Sequence, residues 1–221
     1  MDFDLSVITE HWRFLAYGVG ITLALSLLSG VTSLAAGFVI ALLRLYGPRW
    51  LRIFVVFYID SMRAIPVLVV LVWTFFALPM ATGLTMPPFY AALIGLTVHL
   101  AAYAAEIVRA GIESVGKGQT RASLAMGMSR AQILRRIVLP QALVRMLPAF
   151  GSLLSVTIKD TAIASVIAVP ELMRQSETLA GQSFEPIEVY TFAMLVYFLI
   201  LFPVTRGVDL VYRRVAHLGR S

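Results

Sequence analysis

The side chains best placed to do chemistry in this chain of 221 residues are charges set inside apolar runs. Lys159 and Asp160 sit at the middle of an otherwise uncharged stretch, about Ala149 to Val169. A charge at the centre of a bilayer costs at least ~2.5–3.5 kcal/mol on insertion scales, so it marks a solute path or a clamp between helices. As path residues, one or both would face the carboxylate or ammonium group of a polar solute. As a clamp, they would tie this helix to its neighbour. Adjacent helical residues point about 100° apart, so the two do not simply pair with each other. Asp60 and Arg63 are three apart and can pair on one helix face, and Arg63 can also snorkel from its position near a span end. Tyr103 and Glu106 share a face near the end of another apolar run, where they gate a path or brace the loop beyond it. His99, alone on an apolar helix, reads as hydrogen-bonded packing.

Other chemistries lack residues. There is no G-x-x-x-x-G-K-[ST], and Gly116-Lys117-Gly118 does not have the spacing that cradles phosphates. No nucleophile–base pair or metal-ligand cluster is visible, the three histidines are scattered, and cysteine is absent. The chain is therefore not expected to be an enzyme or to hold a cofactor or metal itself; if ATP is used, another subunit holds it.

The elements that position these residues are membrane helices. The composition is 59% hydrophobic with mean hydropathy +0.86, far above a soluble domain. Five stretches approach or exceed the ~20 residues that a spanning helix needs: about Phe14 to Leu43, Leu51 to Leu78, Phe89 to Ala105, Ala149 to Val169 and Val189 to Val204. Pro66 is expected to kink the second. The third is expected to continue as helix past Glu106, and an acidic linker, Glu171–Glu188, precedes the fifth. The N-terminus, with Asp2, Asp4 and Glu10, lacks the positive region of a cleaved signal peptide. With the N-terminus outside, Arg44, Arg49 and Arg52, the basic run from Arg109 to Arg145, and the bases from Arg206 to Arg220 all face inward. That satisfies the positive-inside rule, so the net charge of +6 is a topology signal, not a nucleic-acid footprint.

Between the third and fourth spans lies a polar, basic stretch, Gly116 to Pro140. Thr120 can cap a short helix, Arg121–Met126, whose Ala122, Ala125 and Met126 share a face. Gly127 supplies a joint without a Cβ penalty. Ser129 and Gln132 fit a capping box for a second helix with Ile133, Leu134, Ile137 and Val138 on its apolar face, and Pro140 opposes its continuation. Two short helices outside the bilayer, joined at a glycine and each with an apolar face, make a docking device.

These residues resemble the coupling loop of membrane subunits of bacterial ABC importers. Gly118-Gln119, Ala122, Gly127 and Ile137-x-Leu139-Pro140-Gln141-Ala142 carry the resemblance. Arg121-Ala122-Ser123 stands where that family has Glu-Ala-Ala, reversing one charge. Further motifs point to the polar amino-acid uptake branch, in order along the chain. They are Gly18-x-x-x-Thr22-Leu23, Arg63-Ala-Ile-Pro66, Tyr103-Ala-Ala-Glu106-Ile-x-Arg109, Lys159-Asp160-Thr161-Ala162 and Pro170-Glu171-Leu172.

The resemblance implies an all-α membrane protein of about five transmembrane helices, similar to type I ABC importers. An extracytoplasmic segment, 1–13, would precede a transmembrane domain, 14–212, with its coupling loop at about 106–148 and a cytoplasmic tail at 213–221. Docking would use Gly118, Gln119, Arg121, Ala122, Gly127, Leu139 and Pro140. The path or clamp would use Arg63, Tyr103, Glu106, Lys159, Asp160 and Thr161. The implied partners are a cytoplasmic ATPase that binds ATP and Mg, a second permease subunit (identical or related), an extracytoplasmic solute-binding protein and membrane lipid, in a bacterial inner membrane. The competing expectations are a self-contained secondary transporter or channel, which would need repeats or filter residues, and a membrane anchor, which leaves the intramembrane charges unexplained.

Overall fold

A computed structural model describes residues 5–216. Its regular structure among them is helical throughout: α1 Ser6–Glu10, α2 Trp12–Tyr46, α3 Arg49–Ala64, α4 Val67–Thr82, α5 Pro88–Glu113, α6 Lys117–Ala125, α7 Arg130–Ile167, α8 Leu172–Ser183 and α9 Pro186–Val215. Proline opens α5 and α9 within the first turn, where a missing N–H costs nothing. Gly83, at φ +74°, closes α4 in the left-handed conformation that ends many helices.

Four of these helices, α2, α5, α7 and α9, are individually long and apolar enough to cross a membrane. The second expected span is not one helix. It is α3 and α4, bent by 107°, and it passes the test only as a pair. Pro66 denies the residue before it the helical region, so Ile65 is extended (φ −87°, ψ 132°) and the helix restarts after the proline. The expected kink is thus a full break, and the count reaches five spans when the bent pair is taken as one.

Helix α5 is the centre of the bundle. Of its most apolar window 61% is inside the protein, against 11% for the peripheral α9. The α2–α5 contact is made by small residues: a Cβ at Gly37 would lie 2.5 Å from the Ala104 Cβ and 2.9 Å from the Ala101 carbonyl oxygen. In lipid, close packing of this kind takes over much of the work that the hydrophobic effect does in water. Helices α3 and α4 pack on α5, α7 lies against both α2 and α5, and α9 leans on α7.

Two other expectations change. The acidic linker after α7 contains α8, whose first N–H groups are capped by the Glu171 carboxylate. Pro140 does not stop the helix that begins at Arg130. The backbone widens into a π turn over Leu134–Val138, with the Leu139 N–H donating to the Leu134 carbonyl, and runs on through Pro140. A wider turn absorbs the bond that proline cannot make. The same device recurs in α4, where a π turn over Trp73–Ala77 immediately precedes Leu78 and Pro79.

Candidate functional site

At one end of the bundle α6 and the start of α7 form an elbow. Helix α6 begins after Gly116, so Thr120 lies inside it and is not its cap, a correction to the expected start. Met126 ends the helix and Gly127 adopts φ +81° with open space around it. The joint therefore demands the backbone freedom of glycine, not its small size. Ser129 and Gln132 form the expected capping box: the Gln132 N–H donates to Ser129 Oγ at 3.3 Å, and the Ser129 N–H to Gln132 Oε1 at 2.8 Å.

The two apolar faces of the elbow have different fates. Ala122, Ala125 and Met126 are exposed, as are Arg121, Leu124 and Gly118. Ile133 and Val138 are buried against the inner faces of α3 and α5, with Leu134 and Leu139 packed beside them. Only the α6 face is left exposed. Gln119 on α6 accepts a hydrogen bond of 2.6 Å from Gln141 Nε2, which fastens α6 to α7. Arg145 of α7 donates to the Ser114 carbonyl beyond the end of α5. The elbow is thereby joined to both helices beneath it.

Glu106 braces the same end. It binds Arg44 of α2 and takes two bonds from Arg109, from Nε at 3.1 Å and Nη2 at 2.8 Å; Arg109 also pairs with Glu113. Arg44, the brace's other half, stood out in the sequence only as one of the bases that orient the spans. Asp60 and Arg63 do not form their expected ion pair. The Arg63 guanidinium instead lies 5.7 Å from the Tyr103 ring centroid, and the Tyr103 hydroxyl donates to the Arg63 carbonyl at 3.3 Å, across the α3–α4 break. His99 packs on Tyr103, with ring centroids 5.3 Å apart, but among the described residues its buried Nδ1 has no hydrogen-bond partner, contrary to expectation.

Lys159 and Asp160 stand apart from this brace. Lys159 is exposed, Asp160 half-buried and Thr161 buried, its hydroxyl donating to the Ile158 carbonyl at 2.8 Å. Neither charge forms an ion pair or hydrogen bond with another described residue.

A junction that local patterns could not reveal lies at the opposite end from α6. The Glu171 carboxylate is fully buried and accepts from the Met173 N–H at 2.8 Å, the Arg174 N–H at 2.7 Å and the Tyr197 hydroxyl at 2.9 Å. The Leu172 N–H donates to Thr22 Oγ1 at 3.1 Å. Burial pushes the Glu171 carboxyl above the usual carboxylate range, and its three hydrogen bonds oppose that shift. Thr22 and Leu172 are 150 residues apart in the chain, beyond the reach of any periodicity.

The chain is 37% identical over 204 residues to the L-cystine transport system permease protein TcyL of Bacillus subtilis, covering 90% of this chain and 85% of that one. It is 36% identical over 202 residues to the glutamine transport system permease protein GlnP of Escherichia coli, covering 91% and 92%. Among solved structures, an amino acid ABC transporter crystallised with histidines superposes with TM-score 0.90 at 30% identity, covering 97% of this chain and all of that one. The MetNI methionine ABC transporter, at 24% identity and TM-score 0.81, shares the fold. The architecture is that of a type I ABC importer permease. Residues 33–217 match the family described as the inner membrane component of binding-protein-dependent transport systems, and this chain belongs to that family.

Proposed function

We propose that this chain is the permease subunit of an importer for polar or charged amino acids or related compounds, energised by a separate ATPase. The observation that carries the proposal is the exposed α6 face, an apolar docking surface held rigid by the Gly127 joint, the Ser129 capping box and the Gln119–Gln141 bond. Its relatives carry cystine, glutamine and arginine by name, which supports the substrate class. In this reading the ATPase holds ATP and Mg and grips α6, a second permease subunit completes the path, and a binding protein delivers solute from outside. The N-terminus lies outside the cell and the C-terminus within. Nucleotide-driven closure of the ATPase moves the elbow, and the elbow moves α7, which bears Lys159, Asp160 and Thr161.

The test is gentle purification of the tagged chain from its own membranes. An ATPase with a P-loop is expected to accompany it, and to be lost with Gly127→Arg while the chain still inserts. Recovery of the chain without an ATPase, under conditions that preserve other complexes, or normal ATP-driven uptake by Gly127→Arg, would overturn the docking assignment.

A further inference from the structure

Helix α3 carries three stripes of different chemistry. At about 100° per residue, Arg49, Arg52, Asp60 and Arg63 fall within an arc of about 80°, with Val56 the one apolar residue among them. On one flank stand Trp50, Ile53, Phe54 and Phe57, at i, i+3, i+4 and i+7, each between 64% and 72% exposed, so nothing described covers them. On the other flank Val55 and Ile59 are buried with Ala41 of α2 and Ala105 and Val108 of α5. Tyr58 lies opposite the charges, and its hydroxyl donates to the Val98 carbonyl at 2.5 Å. The Tyr103 hydroxyl donates to the Arg63 carbonyl. Val98 is more than one turn farther from the elbow along α5 than Tyr103. Helix α3 therefore lies across α5 with its charges turned toward the elbow end.

If α3 crossed the bilayer, this stripe would carry three arginines and an aspartate through about 20 Å of depth, and charges inside hydrocarbon are costly. The bend offers another course. Helix α3 turns 107° from α4, so with α4 upright across the membrane α3 runs within about 20° of the membrane plane. Each stripe then has its own neighbour. The charges meet water and headgroups, Val55 and Ile59 meet the bundle, and the aromatic flank meets acyl chains beside it. The Arg44–Glu106 brace and the exposed Tyr46 mark the same end of the bundle as the polar boundary. Arg49 and Arg52 form no ion pair or hydrogen bond with another described residue. Three aromatic rings beside a row of arginines match the two layers of a leaflet, acyl chains and phosphates.

We infer that α3 does not cross the membrane but lies in the leaflet at the elbow end as an amphipathic anchor. Trp50, Ile53, Phe54 and Phe57 sit among acyl chains, and Arg49, Arg52 and Arg63 bind anionic phospholipid headgroups. The second crossing is then made by α4 alone. Through Tyr58 and Tyr103 the anchor holds α5, the central helix, at a fixed depth beside the elbow. This needs only that the chain is a membrane protein and does not depend on the importer reading.

The chain has no cysteine, so Ile53→Cys, Phe57→Cys, Asp60→Cys and Ala64→Cys, all at exposed positions, each supply a single thiol for a nitroxide label. The full complex is placed in lipid discs of equal parts phosphatidylglycerol and phosphatidylcholine. Collisions with oxygen and with a water-soluble nickel chelate then give the depth of each label. Ile53 and Ala64 share a side of α3 and are 11 residues apart. A crossing helix would set them about 16 Å apart in depth, whereas an in-plane one keeps them within about 5 Å, the expected result. The nickel chelate should meet the label at 60 at least five-fold more often than that at 57. A depth difference of about 16 Å overturns the inference. So does a label at 57 that neither reagent reaches, as when a second permease subunit covers the aromatic flank. For the headgroups, a fluorophore on Phe57→Cys should be quenched at least two-fold more by brominated phosphatidylglycerol than by brominated phosphatidylcholine. Adding Arg49→Gln with Arg52→Gln should abolish that preference and leave the depths unchanged. Equal quenching by the two lipids before those changes overturns the assignment of the arginines. Failure of the importer reading is seen separately, as purified material without an ATPase, and leaves every depth measurable.

Discussion

Glu106 holds two arginines from two helices, with only 16% of its side chain exposed and 18% of that of Arg44. Removing one partner of a well-buried pair costs about 3–5 kcal/mol; residual exposure lowers the expectation here to ~1–3 kcal/mol. Glu106→Gln should therefore lower the melting temperature of the purified complex, and adding Arg44→Gln should recover part of the loss. A double variant less stable than the sum of its singles would count against a direct pair. Gly37 is a steric counterpart. Gly37→Val drives side-chain atoms into Ala104 and the Ala101 carbonyl, and overpacking of this sort costs ~1–3 kcal/mol. Gly20→Ala meets nothing within 4 Å and should leave melting unchanged, which separates a contact effect from a general intolerance of side chains in α2. Glu171 makes a pH prediction. Its folded-state pKa is raised, so its contribution is fully present below the ordinary carboxylate value of about 4.5 and is lost as pH rises through the folded value. Stability measured across that window should fall less steeply in Glu171→Gln than in the parent.

At the scale of elements, the two π turns are the features to test. Each precedes a proline by two residues, whereas Pro148 and Pro203 lie inside α7 and α9 without such a turn and Pro66, with an extended residue before it, ends α3. Changing a π turn to an α turn rotates everything beyond it relative to the residues before it. Pro140→Ala removes the reason for the Leu134–Val138 turn, so the elbow and the Lys159 end of α7 should lose their alignment. The expected outcome is a chain that inserts and assembles but transports fewer solutes per ATP hydrolysed, measured in liposomes. An unchanged ratio would show that the turn serves only to accommodate the proline. Ser129→Ala should cost ~1 kcal/mol of local helix stability, visible as faster hydrogen exchange at the start of α7.

For the whole molecule, the distribution of bases predicts a topology that a pair of reporters can check. A reporter active only in the cytoplasm should work when fused after Ser221, and one active only outside should work when fused at the N-terminus. The reverse pattern would invert the assignment of the α6 end as cytoplasmic. The central position of α5 and the peripheral one of α9 carry a further consequence. Single apolar-to-apolar changes at Phe198 or Leu199, exposed on α9, should alter neither uptake nor melting, while bulkier residues at Gly95, packed against Leu71 and Thr74, should reduce both.

Much of this was legible in the order of residues because bilayers impose simple rules. Apolar length sets the spans, and serine, glutamine and glycine at fixed offsets build the elbow; the capping box and the left-handed Gly127 are local devices that need only neighbouring residues. The tertiary structure alone decided what depends on distant partners. Whether Pro140 ends a helix or is bypassed depends on the packing of Ile133 and Val138, which hold both sides of it to one core. Whether Arg63 meets Asp60 or Tyr103 depends on the bend between α3 and α4, which carries α3 across α5. Glu171 finds Tyr197, and Leu172 finds Thr22, only once α8 and α9 fold back on the bundle. Backbone and membrane preferences act over a few residues and can be read along the chain; pairings between helices arise from packing in three dimensions and cannot.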